Sequence, residues 1–260
     1  MHFIDQIGHK IELASFPKRI ISVVPSQTEL LFDLGLEDEV VGITKFCIHP
    51  QVWFKNKKRV GGTKNLNIDK IKELQPDLII ANKEENTQEQ IEQLQQLFPV
   101  WTSDISNLND SVQMIQEVGK LTGKQAQSNQ IVEKIANEFR KLKSLKNTKR
   151  VLYLIWKEPY MSVGFSTFIH DILNKAGFEN VTQNDERYPN LDLKEIANLK
   201  PDLIFLSTEP YPFKEKHINE FKNLFPDIQT ILVDGEMFSW YGSRLIKSPE
   251  YLIDLHDKIS

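Results

Sequence analysis

The sequence has little cysteine and no long apolar run. Cys47 is the only cysteine among 260 residues, which excludes an internal disulfide and a cysteine-based metal cluster. No stretch approaches the roughly 18 consecutive apolar residues that a transmembrane helix requires. With 40% apolar residues and no low-complexity tract, the chain has enough material for one large domain or two small lobes.

The chain also lacks a basic excess and the common catalytic motifs. Its 32 Lys and Arg residues are outnumbered by 36 Asp and Glu residues, so we expect no nucleic-acid partner. No glycine-rich phosphate loop or G-x-S-x-G nucleophile motif occurs. The six histidines include no H-x-x-x-H pair, so we expect no metal site built by the protein. These absences predict a protein that is not an enzyme and has no cofactor of its own.

The N-terminal segment MHFIDQIGHKIELASF lacks the apolar core and the small-residue cleavage site of a signal peptide. If Met1 is the native start, the sequence predicts a cytoplasmic protein. If the natural chain begins earlier, the protein would be periplasmic or tethered to a membrane.

A long amphipathic stretch divides the sequence into two halves. Its apolar residues Ile131, Ile135, Phe139 and Leu142 recur at the spacing of a helix face. A helix of about 22 residues spans roughly 33 Å, enough to connect two lobes without a flexible linker. We therefore predict an N-terminal lobe (1–121), a bridging helix (122–147) and a C-terminal lobe (148–260).

The two halves repeat one pattern. The segment Ile71–Ile79 reads IKELQPDLI, and Ile196–Ile204 reads IANLKPDLI; each leads from a helix into an apolar run. Each half predicts strand, helix, strand, helix, strand, the order of a parallel sheet covered by helices. Ser26 and Glu29 have the spacing of a capping box at the start of a helix. Ligands of such sheets lie beyond the carboxyl ends of the strands, which predicts a site in the cleft between the lobes.

The N-terminal motifs carry a resemblance to a known family. The segments Ile4–Leu13 (IDQIGHKIEL), Pro17–Ser22 (PKRIIS) and Pro25–Leu31 (PSQTELL), with the repeated PDLI signature, are similar to substrate-binding proteins of ABC importers for iron-siderophores, haem and vitamin B12. The resemblance implies a class III periplasmic-binding-protein-like α/β fold, two lobes joined by one long backbone helix. It also implies a metal-chelate ligand and a membrane permease that contacts Asp69 and Glu195. Alternatively, these two acids only stabilise the first turns of their helices.

The loops predicted to follow strands are rich in aromatic residues, which favours a flat, apolar ligand held by stacking. Some of these rings could instead cover the lobe's own core. The predicted ligand-binding residues are Phe46, His49, Trp156, Tyr160, Met161, Tyr188, Glu209, Phe238, Trp240, Tyr241 and Arg244.

Three of these residues could ligate a metal that arrives within its chelate. His49, Tyr160 or Tyr241 could be an axial ligand to haem iron or corrinoid cobalt. Arg244 and Lys157 could bind an acidic group of the ligand. The alternative for Arg244 is an ion pair with a neighbouring acid, such as Glu236 or Asp234.

The sequence therefore favours non-enzymatic binding of a cobalamin-like corrinoid by a monomer, because the loops are rich in rings and poor in cations. Haem and ferric siderophores are the alternative ligands. An enzyme acting on a corrinoid or tetrapyrrole, or a cytoplasmic protein that sequesters one, remain alternative functions, since similar folds host chelatases and reductases.

Overall fold

The computed structural model describes residues 1–142 and 149–259, which form two compact units. Unit 1 comprises residues 1–105, 109–135 and 241–244. Unit 2 comprises the described residues of 106–108, 136–240 and 245–260. Each unit is built on its own parallel sheet.

The first half of the chain contains nine short strands and six helices among its described residues. The strands are β1 (His2–Ile4), β2 (Lys10–Glu12), β3 (Ile20–Ser22), β4 (Val40–Ile43), β5 (Lys58–Arg59), β6 (Gly61–Gly62), β7 (Asn65–Leu66), β8 (Leu78–Asn82) and β9 (Val100–Ser103). The helices are α1 (Pro25–Asp33), α2 (Gln51–Asn56), α3 (Ile68–Leu74), α4 (Gln88–Gln95), α5 (Leu108–Leu121) and α6 (Gln125–Lys141). The sheet of unit 1 has the order β5-β4-β3-β8-β9 and is parallel throughout.

The second half follows the same plan. Its strands are β10 (Arg150–Leu154), β11 (Tyr160–Met161), β12 (Glu179–Asn180), β13 (Asn190–Leu191), β14 (Leu203–Ser207) and β15 (Gln229–Val233). Its helices are α7 (Phe168–Lys175), α8 (Leu193–Leu199), α9 (Glu215–Leu224), α10 (Glu236–Ser239) and α11 (Ser248–Ile259), with a short 3-10 helix at Ser243–Ile246. The sheet of unit 2 has the order β12-β10-β14-β15 and is also parallel, while β11 and β13 form a separate ribbon.

The two sheets share one topology. The order β4-β3-β8-β9 in unit 1 corresponds strand for strand to β12-β10-β14-β15 in unit 2. Every residue of β8 and of β14 is buried, which explains why both strands read as unbroken apolar runs. The predicted internal repeat and the α/β fold class are therefore confirmed.

The aspartate of the repeated Pro-Asp signature stabilises the amino end of the sheet in unit 1. The Asp77 carboxylate accepts hydrogen bonds from the backbone N–H groups of Lys18 and Arg19, both at 2.8 Å. The Arg19 guanidinium in turn donates to the carbonyl oxygen of Leu74 at the end of α3. One acid and one arginine thus connect α3, β3 and the start of β8.

Unit 2 repeats this arrangement with its own residues. Asp202 accepts from the backbone N–H of Arg150 at 2.7 Å, and the Arg150 guanidinium donates to the carbonyl of Lys200 at 2.7 Å. Lys200 and its counterpart Gln75 both adopt positive φ, 46° and 44°, as the residues that end α8 and α3. The signature is therefore a structural device of each unit, and it carries no information about the ligand.

Replacing Asp77 with alanine is expected to lower the free energy of unfolding by about 1–2 kcal/mol, because two backbone donors lose a charged acceptor. Urea denaturation measures this effect. Glu73→Ala is a suitable control, since this exposed residue of α3 should change stability by less than about 0.5 kcal/mol. An unchanged midpoint of urea denaturation for Asp77→Ala would show that the hydrogen bonds of Asp77 do not stabilise the fold.

The predicted bridging helix is shorter than expected. Gly123, with φ of 71°, ends the preceding helix α5, so α6 begins at Gln125 rather than at Thr122. The predicted end of the bridging helix lies among residues 143–148, outside the described residues. The apolar stripe is confirmed, since Ile131, Ile135, Phe139 and Leu142 are at most 9% exposed. The boundary between the units falls within α6, after residue 135.

The predicted capping box at Ser26 and Glu29 is wrong. Helix α1 starts two residues earlier than that box requires, with Pro25 as its first residue and Val24 as a cap without a side-chain hydrogen bond. Proline suits this position because its missing N–H would have no partner inside the helix. The carboxylate of Glu29 is therefore available for a contact elsewhere in unit 1, which is described below.

Candidate ligand-binding site

The topology of unit 2 places one pair of loops at its switch point. From β10 the chain crosses to β12 on one side and later returns to β14 on the other side. Ligands of open α/β sheets lie at such a point, outside the carboxyl ends of the two central strands. In unit 2 these are the loops that follow β10 (155–159) and β14 (208–214). The backbone N–H of Tyr211 donates to the carbonyl of Ile155 at 3.2 Å, which connects the two loops directly.

Trp156 presents an exposed ring in the first of these loops. Its side chain is 41% exposed, and its ring centroid lies 5.7 Å from that of Tyr211 in an edge-to-face arrangement. Its carbonyl accepts from the Met161 N–H at 3.2 Å, so the loop closes as a tight turn. An indole fixed at its backbone and at one edge keeps a face for stacking on a flat ligand.

Lys157 and Tyr160 are held by helix α9. The Lys157 ammonium lies 2.7 Å from both carboxylate oxygens of Glu220, and the Tyr160 hydroxyl lies 3.4 Å from one of them. This hydrogen bond raises the pKa of Lys157 and lowers that of Glu220. The Tyr160 ring packs on Phe221 at 5.3 Å and on the core of unit 2. Lys157 is thus neutralised within the protein, and Tyr160 partly covers the core, as the alternative interpretation proposed.

Glu209 positions Trp240. One oxygen of its carboxylate accepts from the Ser239 hydroxyl at 2.6 Å and from the Trp240 indole N–H at 2.9 Å. Trp240 is only 7% exposed. A side chain at Gly235 would lie 2.5 Å from the Glu209 side chain, so this glycine permits the close approach. Little of the Trp240 ring remains for ligand stacking.

The prediction that Phe238 contacts the ligand is wrong. Its side chain is fully buried, with its centroid 5.1 Å from the Tyr153 ring and 6.2 Å from the Tyr251 ring. Phe238 lies on α10, whose inner face packs on the sheet of unit 2. An aromatic residue within a ring-rich loop segment was therefore mistaken for a ligand contact when it is part of the core.

Met161 and Tyr188 lie at the small ribbon of β11 and β13. Met161 pairs with Asn190, and both Met161 and Tyr188 are partly buried. Phe165, which the sequence patterns did not single out, is 53% exposed in the loop after β11. The same rule of aromatic residues after a strand would have found it, had the two-residue strand β11 been predicted.

In unit 1, Phe46 and His49 occupy the loop after β4. Phe46 is 51% exposed and lies over Gly62, where an added side-chain carbon would lie 3.1 Å from its ring. The Lys45 ammonium lies 5.0 Å from the ring centroid. His49 is partly buried just before α2. Gly62 thus accommodates a ring of the protein itself, and Phe46 keeps an exposed face.

Arg244 stays a predicted ligand contact, but its surroundings favour the alternative of an ion pair. Its Nε and Nη2 atoms lie 2.8 Å and 2.9 Å from the two carboxylate oxygens of Glu29, and the Arg244 side chain is 7% exposed. The neighbouring acids proposed as its alternative partners, Glu236 and Asp234, belong to unit 2. Tyr241 is likewise only 8% exposed, which leaves little surface for stacking or metal ligation.

Among residues 1–142 and 149–259, no three His, Cys, Asp or Glu side chains converge as a metal-binding group. In the same residues, no helix has both the length and the apolar character of a membrane span.

A family model described as periplasmic binding protein matches residues 20–227. The chain belongs to the periplasmic binding protein family. It is 25% identical over 267 residues to an uncharacterized ABC transporter substrate-binding lipoprotein of Bacillus subtilis, covering 96% of this chain and 83% of the relative. It is also 25% identical over 195 residues to the vitamin B12-binding protein of Vibrio parahaemolyticus, covering 73% of this chain and 70% of the relative.

Solved structures share the fold of this periplasmic binding protein. A periplasmic vitamin B12-binding protein of Vibrio cholerae superimposes with a TM-score of 0.78 at 21% identity, over 93% of this chain and 98% of its own. A possible iron-binding protein of Staphylococcus epidermidis gives 0.79 at 24% identity, over 94% and 99%. A periplasmic haem-binding protein of Roseiflexus gives 0.79 at 20% identity, over 92% and 97%. The fold and family predicted from the sequence motifs are confirmed.

The expectation of a cytoplasmic protein is wrong. The relative from Bacillus subtilis is described as a lipoprotein, and the structure from Vibrio cholerae as periplasmic. Both descriptions conflict with a cytoplasmic location for a member of this family. The expectation had rested on the absence of a leader, which carries no positive information about location.

The two acids predicted to contact a permease differ in their surroundings. The Asp69 side chain is 91% exposed, and its nearest cation is Lys72 at 3.9 Å. Glu195 forms a complete capping box with Asp192, accepting from its N–H at 2.7 Å. Stabilisation of the first turn of a helix therefore explains the position of Glu195 fully and that of Asp69 only in part.

Proposed function

We propose that this periplasmic binding protein binds a cobalamin-like corrinoid at the carboxyl ends of β10 and β14 and delivers it, chemically unchanged, to an ABC permease. The observation that carries the proposal is the exposed Trp156 ring at the switch point of unit 2. Its position beyond the strand ends is where the fold holds ligands. A role outside the cytoplasmic membrane accords with the relatives described above.

The charge next to Trp156 favours a neutral ligand. Both oxygens of Glu220 already neutralise the Lys157 ammonium. Haem propionates and acidic siderophores need unpaired cations, whereas the periphery of a corrinoid carries neutral amides that bind by hydrogen bonds. The relative of Vibrio parahaemolyticus that is named for vitamin B12, at 25% identity, supports the same choice.

The surroundings of Tyr160 argue against haem ligation by its phenolate. Burial, together with the charge of Glu220, raises the pKa of Tyr160 above its ordinary value. A phenolate ligand to iron would therefore form at a higher cost than in water. A bound corrinoid imposes no such requirement on Tyr160.

An absorbance-monitored titration with cyanocobalamin, haemin and a ferric siderophore tests the proposal. We expect cyanocobalamin to bind at micromolar concentration or below, and more tightly than the other two. The recovered corrinoid should be unchanged; conversion of the bound corrinoid would instead favour the alternative of an enzyme. Tighter binding of haemin or the siderophore would overturn the ligand assignment.

Glu220→Gln is expected to shift the preference towards haemin. The amide still accepts a hydrogen bond from Lys157 but no longer carries a charge. The exposed Glu158 at 4.0 Å neutralises the ammonium less fully, so the ammonium can pair with a propionate. We expect haemin affinity to rise by roughly two- to fivefold relative to cyanocobalamin, measured by competitive titration. Glu215→Gln makes the same charge change at an exposed position of α9 and should leave the ratio unaltered. An equal ratio in both variants would refute the charge argument.

We further propose that Asp69 and Glu195 contact the permease. The variants Asp69→Asn and Glu195→Gln remove each charge, and glutamine can retain the capping box. We expect both to reduce cobalamin uptake by cells while cyanocobalamin affinity in vitro stays unchanged. Glu73→Gln, an exposed acid on α3, is the matched control. Wild-type uptake by both variants would leave only their structural roles.

A further inference from the structure

Helix α9 is connected to the loop that carries Trp156 in two ways, one direct and one through Tyr211. One contact is the ion pair between Glu220 and Lys157, with the Tyr160 hydroxyl beside it. The second contact begins at His217 in the first turn of α9 and reaches Trp156 through Tyr211. Both contacts restrict the position of the loop that follows β10.

The hydrogen bonds of His217 define its protonation. Its Nδ1 accepts from the backbone N–H of Lys214 at 2.9 Å, an arrangement that caps α9. Nδ1 therefore carries no proton, and the neutral ring carries its proton on Nε2. Nε2 lies 3.4 Å from the Tyr211 hydroxyl, within reach of a donated hydrogen bond. His217 is 3% exposed and packs against Phe213 at 5.3 Å.

Tyr211 connects His217 to the loop that carries Trp156. Its ring lies 5.6 Å from His217 on one side and 5.7 Å from Trp156 on the other. Its backbone N–H donates to Ile155, the residue before Trp156. Moving Tyr211 would therefore remove the edge contact that orients the exposed indole.

Protonation of His217 would disrupt its hydrogen bond with the backbone N–H of Lys214, the first contact in the series that leads to Trp156. A proton on Nδ1 would oppose the Lys214 N–H, and the imidazolium would lie buried among aromatic rings. Burial, assisted by the charges of Lys216 and Lys157, lowers the pKa of His217 against the opposing effect of Glu220. The pKa of Glu220 is itself lowered by Lys157, so that ion pair persists in mild acid.

We infer that His217 is a positioning residue for Trp156 and that a proton on His217 weakens ligand binding. This inference rests on the proposed function, because it assigns the acid response to the same site. The protein then has a high-affinity form in which His217 is neutral. In the form with protonated His217, Tyr211 and Trp156 are held less firmly and affinity is lower.

The free energy of unfolding of unit 2 should also depend on the protonation of His217. A histidine whose folded pKa is lowered contributes its full stability above about pH 6.5, the unfolded value, and loses it as the pH falls towards the folded value. Ligand affinity should decline at lower pH, as the pH falls through the lowered pKa of His217 in the folded protein. His170, whose pKa is also lowered by burial, lies on α7. Among the described residues, its ring nitrogens contact Asn174 of that helix and Asn180 of β12, and neither Tyr211 nor Trp156.

The test compares the wild type with His217→Gln, because glutamine can accept the Lys214 N–H but does not titrate. Cyanocobalamin affinity is measured by calorimetry at steps from about pH 7.5 down to about pH 4.5, because the lowered pKa of His217 places its titration in the folded protein below that of an ordinary histidine. We expect the wild type to lose at least fivefold in affinity at the lowest pH, and His217→Gln to lose less than twofold. Equal losses in both proteins, or no loss in the wild type, would overturn the inference.

A ligand-free measurement separates this inference from the proposed function. The contribution of Trp156 to fluorescence is the difference between each protein and its Trp156→Phe variant, and its quenching by acrylamide reports the exposure of the indole. We expect quenching to increase in acid for the wild type and to stay constant for His217→Gln. If this holds while no corrinoid binds at any of these pH values, the coupling stands and the proposed function fails. Quenching that is independent of pH in the wild type would refute the coupling regardless of the ligand.

Discussion

Replacing Arg244 with alanine is expected to lower the free energy of unfolding by about 3–5 kcal/mol. The change would leave the Glu29 carboxylate, whose side chain is 11% exposed, without the guanidinium that contacts both of its oxygens. A buried charge that loses its partner is among the most destabilising single changes. Denaturant unfolding followed by circular dichroism measures the loss.

Two further variants make this result specific. The double variant Glu29→Met with Arg244→Met removes both charges and should be more stable than Arg244→Ala, since neither buried charge of the pair remains. Arg140→Ala, on the exposed face of α6, should change stability by less than about 0.5 kcal/mol. Near-wild-type stability of Arg244→Ala together with lost ligand binding would restore the interpretation of Arg244 as a ligand contact.

Replacing Trp156 with alanine is expected to weaken cyanocobalamin binding by about 2 kcal/mol or more, roughly thirtyfold. The indole has an exposed face at the switch point of unit 2, and stacking on a flat ligand requires that face. Because 41% of the side chain is exposed, the stability of the protein should change little by comparison. Calorimetric titration measures the affinity.

Leu224→Ala is the matched control for this experiment. Leu224 is 42% exposed, close to the value for Trp156, and also belongs to unit 2. It lies at the end of α9, where the chain returns to the amino ends of the strands, away from the proposed site. Its replacement should leave ligand affinity unchanged. An affinity loss of the same size in both variants would show that Trp156 has no special role.

Local sequence patterns predicted most of the fold. The repeated PDLI signature and the matching apolar runs predicted two parallel sheets, because a strand buried on both faces leaves an unbroken apolar segment. The start of α6 was misplaced because Gly123 ends one helix just before another begins, and a combined amphipathic pattern conceals such a break.

The site was harder to predict because its contacts are distant in sequence. Glu29 and Arg244 lie 215 positions apart, so a search among neighbouring acids could not pair them. Lys157 and Glu220 lie 63 positions apart, and the sequence alone presented Lys157 as a free cation. Phe238 and Trp156 both lie in ring-rich segments, and only tertiary packing shows that one is buried and the other exposed.

Amide hydrogen exchange with and without cyanocobalamin tests the central claim most directly. If the loops after β10 and β14 hold the ligand, added cyanocobalamin should slow exchange in residues 155–161 and 208–214. Exchange in these two segments that is unaffected by saturating cyanocobalamin would contradict the account, even if the ligand bound elsewhere on the chain.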